Sequence, residues 1–321
     1  MNQQPQIYFA PLQGITTQTF RSVFAKYFIG VDKLFTPYFT KIMPGVGLDS
    51  KKLIALKNQF ESGIEVIPQI LSNNADEIIW FANNCKQMGF SELNWNLGCP
   101  HPQVTNKKLG SGLLPFPEIV NEILHKVMSE INIPFSIKCR LGYYSANEFT
   151  EIIPIFNRYP IHELTIHARI GRQLYSGQTD IETFAHFAPQ LNSPLVYNGD
   201  IFCKDDFLRF KMRFPEINRL MIGRGILTDP FLPSRIKGFD LPSDPKAQLR
   251  LFIDDLYYAY RKDKNNQLSL LSAMKEYWTY LSKAFDEPVK VFRKLKKCNR
   301  FDIYEDAVNK VFAEHDLLDT T

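Results

Sequence analysis

Pro194-Leu195-Val196-Tyr197-Asn198-Gly199-Asp200, and further along Arg219-Leu220-Met221-Ile222-Gly223-Arg224-Gly225, follow one pattern. Each is a short β-rich run that stops at a polar turn built on glycine. Between them, residues 204–214 carry a helical pattern. Strand, helix and strand in that order predict two parallel strands joined by a crossover helix. A glycine turn at a strand end lets backbone N–H groups approach an anion, and the helix start that follows adds a favourable dipole. Arg224 adds a guanidinium that can grip phosphate with two hydrogen bonds.

The same unit recurs upstream. β-rich runs are expected at 6–10, 33–36, 64–70, 92–96, 135–139, 163–167, 194–198 and 219–223, eight in all. Helices are expected near 17–28, 50–59, 75–88, 117–130, 146–158, 180–191, 204–214 and 230–237. In 75–88, Ile78, Ile79, Phe81, Ala82 and Cys85 fall at helical period, with Asn73 or Asn74 as the cap. Eight such units predict an α/β chain closed into a (β/α)8 TIM barrel over residues 1–240. A doubly wound open sheet is the competitor, but Pro11-Leu12-Gln13-Gly14 after the first run is no dinucleotide fingerprint.

Leu241-Pro242-Ser243-Asp244-Pro245 reads as a linker. Beyond it the pattern is helical at 246–261, 268–285, 288–298 and 302–315, which predicts an all-helical domain over 241–321. From Val289 to Arg300 stand Lys290, Arg293, Lys294, Lys296, Lys297 and Arg300 with no acid. Lys290, Arg293, Lys294 and Lys297 share one helical face. Charge alone leaves open a solvated face and a phosphate-binding one.

None of the five cysteines forms a CxxC pair, so a metal centre is not expected, and an odd count suits a reducing compartment. The start Met1-Asn2-Gln3-Gln4-Pro5 is unlike a signal peptide, and no apolar run reaches the ~20 residues of a membrane span. The expectation is a cytoplasmic protein with no membrane partner.

Barrel enzymes work at the C-terminal ends of their strands. There the fourth run gives Asn96-Leu97-Gly98-Cys99-Pro100, a thiol on a tight turn. A thiol of ordinary pKa, about 8.5, can act as an acid or a nucleophile; a buried structural cysteine is the bland alternative. The fifth gives Lys138 in an apolar strand, where a cation requires an anion or an internal ion pair. The sixth gives His167-Ala168-Arg169, two side chains on one face that suit a phosphate or a polar ring edge.

Ala10-Pro11-Leu12-Gln13-Gly14-Ile15, the Asn96–Pro100 turn, Ser136-Ile137-Lys138-Cys139-Arg140-Leu141-Gly142, His167-Ala168-Arg169, Asn198-Gly199-Asp200 and Met221-Ile222-Gly223-Arg224-Gly225 together resemble the tRNA-dihydrouridine synthases. The resemblance runs in order from about residue 7 to 240, and less specifically through the helical tail. It implies FMN as cofactor and NADPH as reductant. Ala10, Pro11 and Leu12 would line the flavin; Gln69 and Lys138 would hydrogen-bond its ring, and His167 would contact the ring or the phosphate side. Asn198, Gly199, Asp200, Gly223 and Arg224 would hold the ribityl phosphate. Hydride would pass from flavin N5 to uracil C6, with Cys99 protonating C5 and Asn96 positioning the base. The uridine would be flipped out of the tRNA to reach the pocket. Arg169, Lys275, Lys290, Arg293, Lys294, Lys296 and Lys297 would contact tRNA, gripped by a monomer.

Some positions depart from the family pattern. Phe35-Thr36-Pro37 stands where Thr-Glu is usual, Leu12 and Gln13 replace a methionine and an acid, Asn94 replaces an aspartate, and Gly110-Ser111-Gly112 alters the loop after the cysteine. Two other readings share some of the features. A flavin barrel reducing a small pyrimidine would not need the basic tail, and a non-catalytic RNA-binding relative need not keep Lys138 with Cys99.

Overall fold

The structure is a computed structural model, and it describes residues 4–49, 52, 55, 56, 58, 60–263 and 266–318. Its strands are β1 (Gln6–Phe9), β2 (Lys33–Phe35), β3 (Phe60–Glu61), β4 (Ile64–Ile67), β5 (Gln69–Ile70), β6 (Leu93–Leu97), β7 (Phe135–Arg140), β8 (Leu164–His167), β9 (Leu195–Asn198) and β10 (Arg219–Ile222). The helices outside the tail are α1 (Gln18–Tyr27), α2 (Ala75–Gln87), α3 (Pro102–Thr105), α4 (Pro117–Glu130), α5 (Glu148–Phe156), α6 (Ile181–Phe187), α7 (Lys204–Arg213), α8 (Arg224–Thr228) and α9 (Leu232–Lys237). Those of the tail are α10 (Pro245–Asp263), α11 (Gln267–Leu281), α12 (Pro288–Lys296) and α13 (Phe301–Glu314).

The sheet order is β3-β4-β2-β1-β10-β9-β8-β7-β6-β5. β4 and β5 are one strand interrupted at Pro68, which has no N–H to give to a ladder. The first half pairs with β2 through Leu34 and Val66, and the second with β6 through Gln69 and Asn94. Counting the two halves as one stave closes the ring of parallel strands, as the eightfold repeat predicts. β3 is an addition, a short antiparallel hairpin partner of β4 turned by Ser62 and Gly63, both at positive φ (49° and 86°).

Strand alternation sorts the core into layers. Tyr8, Ala10, Phe35, Ile67, Val196 and Met221 fill the inside of the barrel, while Ile7, Phe9 and Leu34 face the helices. α2 begins at Asn74, whose side chain accepts from the Asp76 and Glu77 N–H groups, and buries Ile78, Ile79, Phe81, Ala82 and Cys85. The helix expected at 50–59 falls largely outside the described residues. The helix expected at 230–237 starts at Leu232 and is preceded by α8, which follows β10 directly.

The N-terminal end of the barrel is plugged by charge. Lys33 Nζ donates to Glu92 at 2.6 Å and to Glu163 at 3.2 Å; Arg219 Nε lies 3.0 Å from Glu163, and the Tyr8 hydroxyl donates to Glu163 at 2.8 Å. Burial alone would discharge Lys33, but the two carboxylates hold its pKa above the usual value.

The tail docks on the barrel through aromatic rings. Phe252 of α10 packs against Phe28 at 4.9 Å between ring centroids, Phe20 at 6.0 Å and Tyr277 of α11 at 5.9 Å. From Pro245 onward every described element is helical apart from one bridge, Phe285 with Leu317. No described helix is long and apolar enough to cross a membrane.

Candidate active site

A cavity of about 610 Å³ opens at the C-terminal ends of the strands. It is lined by Ala10, Pro11, Leu12, Gln69, Asn96, Cys99, Lys138, His167, Asn198, Gly199, Asp200, Gly223 and Arg224, residues the sequence scatters over more than two hundred positions.

Cys99 is locked from both sides. The Asn96 side-chain carbonyl accepts from the N–H groups of Gly98 (3.0 Å) and Cys99 (2.8 Å), an Asx turn. The Cys99 carbonyl accepts from the Ser111 N–H (3.0 Å) and hydroxyl (3.1 Å). Gly110 passes so close that a Cβ there would meet the Cys99 oxygen at 2.5 Å. The Gly110-Ser111-Gly112 loop therefore clamps the turn. Burial pushes the thiol above its usual pKa, against the opposing pull of the His101 N–H, Tyr38, Arg140 and Lys138. The thiol accordingly stays protonated at neutral pH, as an acid must.

Asn96 belongs to a chain of carboxamides. Its Nδ2 donates to Gln69 Oε1 (2.7 Å), Gln69 Nε2 to Asn94 Oδ1 (2.8 Å), and Asn94 Nδ2 to Ser136 Oγ (2.7 Å). Ser136 in turn donates to Glu92 in the charged plug. This sequence of donors fixes the orientation of each amide, and with it the edges that Gln69 and Asn96 turn to the cavity. Asn94, where the resembled family has an acid, can both accept from Gln69 and donate to Ser136.

Lys138 reaches the cavity from β7. Its Nζ donates to Asn198 Oδ1 at 2.8 Å, and no described carboxylate pairs with it. Burial, then the nearby Arg140 charge, push its pKa down to about 8. His167 is held well below its usual value, first by burial and then by Arg140, Lys138, Arg169 and Arg224. Arg169 Nη1 lies 3.2 Å from His167 Nε2, so the neutral ring carries its proton on Nδ1. A pocket this rich in partly desolvated cations calls for an anionic occupant.

One expectation is corrected. Arg169 is not on the RNA-facing surface. It is 1% exposed, does not line the cavity, and is consumed by Asp200, His167 and the Gly177 carbonyl at 2.6 Å. Asp200 lines the cavity but is engaged by two arginines. Its carboxylate takes Arg224 Nη2 at 2.7 Å as well as Arg169, and so aims Arg224 at the glycine turns. The first of those turns needs glycine, and the second leaves little room for a side chain. A Cβ on Gly199 would meet the Tyr197 hydroxyl at 2.1 Å, and one on Gly223 would stand 3.3 Å from Ala10 Cβ.

The basic face of α12 also divides. Lys290 pairs with Glu287 and Lys294 with Glu314, acids that lie outside the Val289–Arg300 run. Arg293, Lys296 and Lys297 instead line a groove with Lys283 and Phe292, and none of these four cations has an ion pair among the described residues. Lys275 stands on α11, half-buried and outside both hollows.

Sequence reasoning missed Tyr38, Tyr175, Glu276 and Tyr280 in the cavity wall. Tyr175 lies under Arg224 at 5.0 Å from the ring centroid. Glu276 and Tyr280 share one face of α11, so the tail completes the mouth of the barrel site.

The family profile described as Dihydrouridine synthase (Dus) matches residues 8–313. The chain belongs to the dihydrouridine synthase family. A tRNA-dihydrouridine synthase B of Pasteurella multocida is 31% identical over 231 residues, 71% of this chain and 67% of that protein. A tRNA-dihydrouridine(16) synthase of Neisseria meningitidis serogroup B is 26% identical over 306 residues, 92% of this chain and 91% of that protein. Among solved structures, morphinone reductase shares the fold at a TM-score of 0.52 and 11% identity, covering 76% of this chain and 88% of that one. A 2-naphthoyl-CoA reductase complex does so at 0.57 and 12%, covering 75% of this chain and 50% of that one.

Proposed function

We propose that this member of the family is an FMN-dependent tRNA-dihydrouridine synthase that reduces uridine in tRNA, with NADPH as the reductant. The observation that carries the reading is Cys99, an immobilised neutral thiol, facing the same cavity as Lys138, a buried cation with no carboxylate partner among the described residues. The 100 positions between Cys99 and Gly199 would mean little in sequence alone; sharing one cavity lets a single ligand meet both.

The residues fit a flavin mononucleotide. Gly199, Gly223 and Arg224 would hold the phosphate, where α8 begins. Lys138 and Gln69 would bond the ring, and His167 would donate from Nδ1. When bound, the flavin supplies the hydride that reduces uracil C6. Asn96, with one amide hydrogen spent on Gln69, has a second for the base. Cys99 gives its proton to C5, and a base seated in the cavity would keep bulk water from the reacting atoms.

Residues 1–240 would form the catalytic barrel and 241–321 the part that grips tRNA. Arg293, Lys296 and Lys297 offer phosphate contacts, and Lys275 lies on the neighbouring helix. We read the protein as a cytoplasmic monomer that uses no metal.

The test is direct. Purified protein is expected to show flavin absorption bands, and tRNA from a deletion strain to lack dihydrouridine at the positions this chain modifies. Cys99→Ala is expected to keep its flavin and lose about 10²–10⁴-fold in uridine reduction. A colourless preparation, or wild-type turnover in that variant, overturns the reading.

A further inference from the structure

Where β2 ends, Thr36-Pro37-Tyr38-Phe39 crosses the barrel mouth. Phe39 is stapled to the neighbouring stave. Its N–H donates to the Gln69 carbonyl at 2.7 Å, and its own carbonyl accepts from the Leu71 N–H at 2.8 Å. Its ring packs on Phe81 of α2, centroids 5.2 Å apart, in the helix layer. Adjacent side chains of extended backbone point to opposite faces. Tyr38 is therefore turned inward, where it lines the cavity together with Cys99, close enough for phenol and thiol to influence each other's ionisation. The stapling of Phe39 leaves Tyr38 little freedom to turn elsewhere.

We propose that Tyr38 is a second catalytic group: its O–H donates to Cys99 Sγ, stabilises the thiolate left after protonation of C5, and returns a solvent proton to it. The inference rests on Cys99 being the acid. The balance is simple. The S–H bond breaks as C–H forms at C5, and the bonding pair stays on sulfur. The phenol proton then passes to sulfur while a water proton at the cavity mouth replaces it on oxygen. No oxidant or reductant enters.

Several groups face this sulfur. Lys138 and Arg140 of β7 act on it through charge, and the His101 N–H and Tyr38 hydroxyl are the donors that favour its anion. His167, Arg224 and Glu276 lie elsewhere in the same cavity wall. Among these, Tyr38 is the group that offers the sulfur a side-chain proton that water can replace. Burial first, then the neighbouring Cys99, push the phenol up to about 12, so it remains a donor across the working pH range.

The experiment compares flavin-loaded, full-length wild type with Tyr38→Phe. Iodoacetamide alkylation of Cys99, read by mass spectrometry of its peptide, is followed from about pH 7 to about pH 10. The midpoint is expected to rise by about one unit in the variant, as loss of a hydrogen bond to an anion requires. Single-turnover reduction of uridine is expected to slow about tenfold with flavin content unchanged. Tyr38→Gln, which keeps a donor, is expected to hold the midpoint nearer wild type than Phe does, an ordering that a purely steric role for the ring would not give. An unmoved midpoint in Tyr38→Phe, with Cys99→Ala inactive, overturns the role of Tyr38 alone. An active Cys99→Ala overturns the reading beneath it.

Discussion

Lys138 shows how one residue can carry both cost and use. An ammonium inside a barrel gives up hydration that Asn198 only partly replaces. The fold tolerates it because the cavity supplies a place for an anion. The consequence is a pH dependence with a definite sign. The pKa of about 8 means that Lys138 in the ligand-free protein is charged below that value and neutral above it. FMN affinity of the apoprotein is therefore expected to be level below about pH 8 and to fall as pH rises through it. Lys138→Met should weaken binding about tenfold or more near neutrality, the worth of a charge-assisted bond, and flatten that fall. Fluorescence titration of the apoprotein with FMN reads both effects, and an equal slope in the variant would show that another group titrates. Lys138 and Cys99 were visible in the sequence because each is chemically out of place in an apolar strand or its turn. Tyr38 was not, since its direction depends on how Phe39 is stapled across the β4–β5 break. Arg169 was misread for a related reason: spacing put it on the face of His167, but only the structure shows Asp200 waiting for it.

At the scale of elements, α12 separates what periodicity reveals from what it hides. Helical spacing correctly gathers Lys290, Arg293, Lys294 and Lys297 onto one helix, though Lys297 is already its cap. It cannot reveal the acids that other elements bring. Glu314 of α13 takes Lys294, while α11 leaves Lys296 and Arg293 open beside Lys283. Charge reversal should therefore act unequally. Lys296→Glu with Lys297→Glu is expected to weaken tRNA binding and to lower the slope of affinity against salt by about one per lost contact. Lys294→Glu should affect binding less and stability more, because it sets two carboxylates against each other beside Glu314. Filter binding across a salt series, alongside thermal melts, separates the two; equal losses of affinity would put the RNA on the α13 side of the helix. The strands tell the same story in reverse. Their eightfold recurrence was legible because buried parallel strands are continuous apolar runs. The β3 hairpin was not read, since it is two residues long and only pairs the side of β4 that the break at Pro68 leaves open.

For the molecule as a whole, the site is finished only when the tail is in place. Glu276 and Tyr280 reach the cavity because α10 and α11 lie against α1 and α8, and the ring of Phe252 is at the centre of that contact. The residue is fully buried and touches Phe20, Phe24, Phe28, Tyr27 and Tyr277. Nothing in a linker-and-helices reading of 241–321 foretold this, because an amphipathic helix announces an apolar face but not the surface that meets it. Phe252→Ala should remove about 3–5 kcal/mol from the joint between tail and barrel. The residues proposed to hold the flavin lie in the barrel, so the cofactor should stay bound. Uridine reduction should fall, with most of the loss in KM for tRNA, since the same change loosens Glu276, Tyr280 and the basic groove together. Calorimetry combined with flavin fluorescence provides the check. One cooperative transition in wild type should split in the variant into an early step that keeps the flavin and a later one that releases it. If the flavin instead leaves in the first step, the tail is part of the cofactor site itself and the boundary near residue 240 does not divide the labour of the two regions.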